Sequence, residues 1–259
     1  MSASPILLTV LGSGTSMGVP TIGCSCKVCH SSDPHNKRMR PSVLLQYQDR
    51  AVVIDTTPDF RTQALRVDLK RLDAVLLTHA HADHILGLDD IRPFNIFQQA
   101  PIPVYASRDT LQTVRQTFEY IFRGGEPLST VPKIELHELD GSIELFGLKI
   151  HPVTVLHGPM EVLGFRFGRC AYLTDFSTIP DASLPLLADL DILFLDALRH
   201  VPHPTHCTVE QALAYVERLK PRRAFFTHVC HDLEHVATNA TLPAHVRLAY
   251  DGLKLEVAR

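Results

Sequence analysis

Three imidazoles and a carboxylate stand within six consecutive positions, as His79, His81, Asp83 and His84, directly behind the mostly apolar run 72–77. Such a run reads as a buried strand, so the four side chains emerge where a strand ends and a loop begins. This feature constrains the fold most, because a sheet must carry the strand and other segments must complete the site at the same edge. Imidazole mixed with carboxylate suits first-row divalent ions such as Zn, Mn or Fe at hydrolytic centres. A surface loop merely rich in histidine would need neither the strand nor the spacing.

At 259 residues the chain can bury a large core, and no Pro- or Gly-rich linker, repeat or low-complexity tract divides it. One domain over 1–259 is therefore expected. Its 25 basic and 28 acidic residues leave a formal net charge of -3, which argues against a general, charge-driven nucleic-acid binder. The apolar run 6–11 follows no basic segment and is too short for a signal sequence or a membrane span, so a soluble cytoplasmic protein is expected. Three of the six cysteines crowd together as Cys24, Cys26 and Cys29, while Cys170, Cys207 and Cys230 are scattered. That distribution is unlike a secreted disulfide framework.

Strand-like apolar runs recur at 6–11, 42–47, 51–54, 74–77, 104–106, 148–155, 164–167, 171–174, 192–195, 224–226 and 253–257. Helical patterns cover 61–70, 109–122 with Asp109 as N-cap, and 208–220 with Thr208 as N-cap. Strands in both halves, each with helices, predict a mixed α/β fold of two sheets packed face to face with helices outside. The polar stretch 124–140, broken by Pro127 and Pro132, reads as a loop, an irregular hairpin or a flap.

One loop rarely completes a metal site. His157, Asp175 and His228 also follow apolar runs, and with the first cluster they make seven donors, enough for two ions sharing a carboxylate. Three thiolates in the glycine-flanked loop 23–30 favour a closed structural Zn, its fourth ligand to come from His30, His35, Cys230, His231 or His235. After the run 192–195 comes Asp196 and a loop holding His200, His203 and His206. His206, just ahead of the helix at Thr208, is the candidate acid, Asp196 is the candidate to hold its proton, and His200 and His203 read as surface residues. The loop 12–20, with Gly12, Gly14 and Gly18, and Arg61 and Arg92 are candidate phosphate contacts; none singles itself out.

These motifs resemble the metallo-β-lactamase superfamily, whose His-x-His-x-Asp-His signature stands here as His79 to His84. The resemblance implies a four-layer αββα sandwich. It assigns His79, His81 and His157 to one ion and Asp83, His84 and His228 to the other, with Asp175 bridging. Asp55 takes the place of an acid that orients the ligand loop, with a turn or helix N-cap before Thr56 as the alternative. The Cys-x-Cys-x-x-Cys loop is similar to that of the phosphoribosyl cyclic phosphate phosphodiesterases of the carbon-phosphorus lyase pathway. In that branch a His three positions beyond the last catalytic His completes the zinc site; here that is His231, with Cys230 as rival.

The implied activity is a binuclear phosphodiesterase acting on small, cyclic phosphodiesters such as phosphoribosyl or nucleoside cyclic phosphates. Two divalent ions, Mn or Zn, supply hydroxide at the active site, His206 is the general acid, and one further Zn is structural. The resemblance also implies a homodimer and no membrane partner. Alternatives are a tRNA 3′-processing endoribonuclease, for which no extended basic arm is evident, a thioester or lactone hydrolase, and a non-catalytic metal-binding scaffold. The segment 109–140 looks longer than in that branch.

Overall fold

The computed structural model describes residues 5–123 and 130–259. Among them the chain runs through strands β1 (Ile6–Gly12), β2 (Ser42–Tyr47), β3 (Arg50–Ile54), β4 (Ala74–Leu76), β5 (Ile102–Ala106), β6 (Ile134–Glu138), β7 (Ile143–Leu145), β8 (Leu148–His157), β9 (Met160–Phe167), β10 (Cys170–Leu173), β11 (Ile192–Asp196), β12 (Arg223–Thr227), β13 (Val246–Leu248) and β14 (Lys254–Val257). They form two seven-stranded sheets, ordered β14-β1-β2-β3-β4-β5-β6 and β13-β12-β11-β10-β9-β8-β7. Each sheet changes from antiparallel to parallel pairing part-way, at β3 and at β10. The last strand returns to the first sheet, where Ile6 to Thr9 pair with Val257 to Lys254.

Period-2 alternation of apolar residues builds the layers. In β3, Val52 and Ile54 enter the core between the sheets while Ala51 and Val53 face outward; in β11, Ile192 and Phe194 point inward and Leu193 and Leu195 outward. Strands apolar on both faces need a cover on both. Helices α1 (Phe60–Arg66), α3 (Arg92–Gln98) and α4 (Arg108–Thr117) cover the first sheet through Phe60, Phe94, Leu111 and Val114. Helix α6 (Val209–Leu219) covers the second through Val209, Ala212 and Val216. The short helices α2 (Ala82–Ile85), α5 (Glu119–Phe122) and α7 (His235–Thr241) complete the set. This is the expected αββα layering.

Local chemistry explains the departures from expectation. Ser107, not Asp109, caps α4 by accepting the Thr110 amide, and the helical pattern breaks at the buried Phe118 into α4 and α5. Helix α1 stops early because Asp68 turns left-handed, with φ 54. At the other helix Thr208 does cap α6, in a reciprocal capping box with Gln211. In the stretch 124–140, residues 124–129 lie outside the described residues, but Ile134–Glu138 is a strand, pairing parallel with β5 from Ile102↔Ile134 to Ala106↔Glu138. Its polarity is that of an edge strand with Glu135, His137 and Glu138 exposed. Residues 1–4, which belong to the N-terminal reading above, also lie outside the described residues. No helix among the described residues is long and apolar enough to cross a membrane.

Candidate metal centre and active site

The predicted donors collect where strands end. His79 and His81 follow β4, Asp83 and His84 sit in α2 rather than in a loop, His157 closes β8, Asp175 follows β10, Asp196 closes β11 and His228 follows β12. A backbone bond from Leu163 to the Thr78 carbonyl, 3.0 Å, ties the two sheets beside them. Asp55, Asp175 and His228 all take left-handed backbone, with φ 66, 54 and 57. That conformation costs a non-glycine residue about 1–3 kcal/mol and persists only where its surroundings impose it. Three such residues at one site show that the loops are bent to aim these side chains.

The seven donors fall into two sets, His79, His81 and His157 in one and Asp83, His84, Asp175 and His228 in the other; within each set the donor atoms lie within 4.8 Å of one another. His79 Nε2 is 2.9 Å from His81 Nδ1. His84 Nε2 lies 3.2 Å from Asp83 and 3.3 Å from Asp175, and His228 Nε2 lies 3.1 Å from Asp175 and 3.9 Å from Asp83. Asp175 also groups with His157 and His206. It therefore stands between the sets.

Partners behind the donors settle the tautomers. Asp55, fully buried, accepts from the Thr78 amide at 2.8 Å, from the Thr78 hydroxyl at 2.9 Å and from His84 Nδ1 at 2.8 Å. With its hydrogen given to Asp55, the Thr78 hydroxyl accepts from His79 Nδ1 at 3.0 Å. His157 Nδ1 donates to the Thr205 carbonyl at 2.8 Å. With Nδ1 engaged in this way, each ring leaves Nε2 as the nitrogen that faces the centre, the one a metal would take. Asp55 is thus neither a turn residue nor a helix cap.

The donor set fits divalent cations. Asp83 Oδ2, His84 Nε2 and both nitrogens of His228 are buried without a hydrogen-bond partner, and buried polar atoms left unpaired at one point call for an ion. Burial pushes His79 well below the ordinary imidazole value and His157 to about 4, so both stay neutral. Burial opposes charge on His84 and His228 as well, but the carboxylates of Asp175, Asp55 and Asp83 hold His84 well above its ordinary value, and Asp175 above all raises His228 to about 10. The metal-free centre therefore balances its carboxylates with protons that a metal would displace.

His206 stands over this centre, with its ring 4.6 Å from both His157 and His228 between centroids. Its Nδ1 donates to Asp196 at 2.6 Å, and the same carboxylate oxygen accepts the Phe176 amide at 3.0 Å. His200 is a surface residue paired with Glu210. His203 is not: it is half-buried, its ring 5.0 Å from His206. The spacing of a coil segment carries no signal for that.

The thiolate loop meets the far end of the chain. His231 Nδ1 lies 3.2, 3.5 and 3.6 Å from the sulfurs of Cys24, Cys26 and Cys29. Cys230 is turned away, its sulfur accepting the Asp232 amide, while His30 is exposed and His35 is bound to Asp33. The Cys29 amide donates to Cys26, and this bond, with help from Cys24 and His231, lowers the Cys26 thiol to about 6 despite some desolvation; burial raises Cys29.

The candidate phosphate contacts sit in other surroundings. Arg92 is engaged by Asp89 and the Thr130 carbonyl, and Arg61 lines a groove between α1 and α3 with Leu65 and Phe97. A Cβ at Gly12 or Gly14 would meet the carbonyl of Arg40 or Arg38 at 1.9 or 2.8 Å, so close packing of backbones accounts for both glycines.

A family model described as the beta-lactamase superfamily domain matches residues 50–229. The chain belongs to that superfamily. Within it, the crystal structure of a new diphosphatase from the PhnP family is 56% identical with a TM-score of 0.92, covering 97% of each chain, which makes this chain a member of the PhnP branch. An octanoyltransferase of Porphyromonas gingivalis is 38% identical over 95% of this chain and 50% of its own length. A ribonuclease Z of Mycobacterium bovis is 30% identical over 60% of this chain and 62% of its own. The chain thus spans less than two thirds of either relative. Superfamily membership implies divalent metal ions, which the donor set accommodates.

Proposed function

We propose that the chain is a binuclear metal-dependent phosphodiesterase for small phosphodiesters, cyclic phosphates among them, folded as one domain. The observation that carries this reading is His206: an imidazole fixed on a buried carboxylate and held against two rings of the donor sets. His79, His81 and His157 would hold one ion, Asp83, His84 and His228 the other, and Asp175 would serve both. When bound, such ions supply Lewis acidity toward phosphoryl oxygens and a water of lowered pKa. His206 keeps its Nδ1–H on Asp196, so Nε2 is the nitrogen that carries a proton to the departing oxygen. Asp196 holds the ring in that tautomer and offsets the positive charge of its imidazolium. Cys24, Cys26, Cys29 and His231 would hold a structural Zn.

A second reading, cleavage of a diphosphate, is favoured by the identity to a PhnP-family diphosphatase. Both reactions protonate a leaving oxygen and use the same residues. The octanoyltransferase name belongs to a protein twice as long as the match and supports no acyl chemistry here.

The test is a hydrolysis panel with Mn- and Zn-loaded protein: 2′,3′-cyclic nucleotides, a ribose cyclic phosphate, a linear aryl phosphodiester, a nucleotide sugar, a thioester and a lactone. Turnover of phosphodiesters that His206→Ala loses while keeping its metals supports the first reading. Turnover confined to the nucleotide sugar favours the second, and preference for the carbonyl substrates sinks both.

A further inference from the structure

Arg38 is 2% exposed and is the largest fully buried side chain, yet it forms no ion pair among the described residues. A buried guanidinium is costly unless every donor finds an acceptor. Here NH1 donates to the Cys230 carbonyl at 2.8 Å, NH2 to the Leu233 carbonyl at 2.7 Å and to Asn36 Oδ1 at 3.1 Å, and Nε to the His35 carbonyl at 3.3 Å. Burial lowers its pKa only to about 10, so it stays charged at neutral pH.

The two carbonyls it grips flank His231, and His228 lies three residues before His231. Further bonds hold the same loop: Val229 N–H to the Ser13 carbonyl at 3.0 Å and Cys230 N–H to the Leu198 carbonyl at 3.1 Å. The N-terminal face of this clamp is itself anchored, since Arg38 and Val19 exchange both backbone bonds and Asp251 accepts from Ser13 and Met39. The loop that aims the left-handed His228 into one donor set therefore presents His231 to the other, with Arg38 gripping it between N-terminal loop and sheet edge.

We propose that Arg38 is a positioning residue that couples the two donor centres: filling the thiolate set stiffens the loop 228–233, and Arg38 carries that stiffness to His228. The ion on the side of Asp83, His84 and His228 then binds more tightly, while the ion of His79, His81 and His157, whose ligands lie on other segments, is indifferent. A lysine cannot replace this arginine, because one ammonium cannot reach two carbonyls three residues apart in the planar fork geometry. This inference rests on the metal reading above.

The experiment is chelator competition on folded, Co(II)-loaded chain, following the thiolate charge-transfer band and the ligand-field bands of the His/Asp centre separately, for wild type, Arg38→Lys and Cys26→Ser. Arg38→Lys is expected to keep the thiolate band and to release one His/Asp-centre ion at about ten-fold lower chelator. Cys26→Ser should lose the thiolate band and weaken that same ion alone. Wild-type retention of both ions in either variant overturns the coupling, as does equal weakening of both ions, the signature of a merely structural loss. Should Arg38→Lys not fold, the Cys26→Ser comparison decides. Wild type that binds no metal at the thiolate set would sink the metal reading itself, and this inference with it.

Discussion

The two donor centres of this protein are built in opposite ways. The His/Asp centre draws on ligands from four stretches of chain separated by up to 149 residues, between His79 and His228. All its ligands but the exposed His81 and partly buried Asp83 are buried, and Asp55, Thr78 and the Thr205 carbonyl orient its rings from behind. The thiolate centre takes three ligands from six residues of one loop, is half exposed, and is steadied by its own backbone amides. Only His231 joins it from afar. A buried, multi-segment centre holds its geometry through the fold, so it can impose charge and strain; a local loop makes its own geometry and closes on one distant ring.

The substitutions that break this contrast differ in size. Asp175 stands between the two His/Asp sets, so Asp175→Ala should empty that centre and reduce hydrolysis to background while the thiolate band persists; loss of the thiolate metal as well would show that the centres fold as one. His206→Ala should lower kcat by about 10²- to 10⁴-fold with all metals in place, read by turnover and metal analysis. Asp55→Asn, which replaces the acceptor behind His84, should weaken the His/Asp centre by about 10- to 100-fold in metal affinity, measured by chelator competition. Cys26→Ser should lower Tm by only a few degrees, because the two-sheet core does not depend on the thiolate loop. A drop that abolishes folding would refute that independence.

The smallest effect is a pH dependence in the metal-free chain. The Cys26 thiol falls from its ordinary 9.0 to about 6 on folding. Its contribution to stability is therefore fully present above pH 9.0 and is lost as pH falls through about 6. Thiolate absorbance should show one cysteine titrating near 6, and Cys29→Ala, which removes a neighbouring thiol but keeps the amide donor, should leave that titration near 6.

Much of this was legible along the chain, for definite reasons. All eleven apolar runs are strands, the central ones because they are buried on both faces and others, such as 253–257 with Lys254 and Glu256 exposed, because they alternate; the seven His/Asp donors stand out because each follows such a run. The edge strand β6 and the three-residue β7 and β13 escaped notice, since an edge or a short strand needs too little apolar surface to leave a pattern. The expected cap at Asp109 falls two residues too late, because the Ser107 hydroxyl accepts the Thr110 amide and the helix starts there. His203 and Arg38 left no trace, one lying in a coil segment and the other in a polar stretch.

By itself, then, the order of residues determined which side chains have metal chemistry, that they leave strand ends, and that strands and helices in both halves pack as two sheets face to face with helices outside, because these follow from spacing and hydrophobicity alone. Only the tertiary structure decided which donors face one another, that Asp55 stands behind His84, that His231 rather than Cys230 meets the thiolates, and that Arg38 grips the loop between them. Those outcomes depend on backbone direction at left-handed residues and on where distant loops pass, and neither is encoded in any local window of sequence.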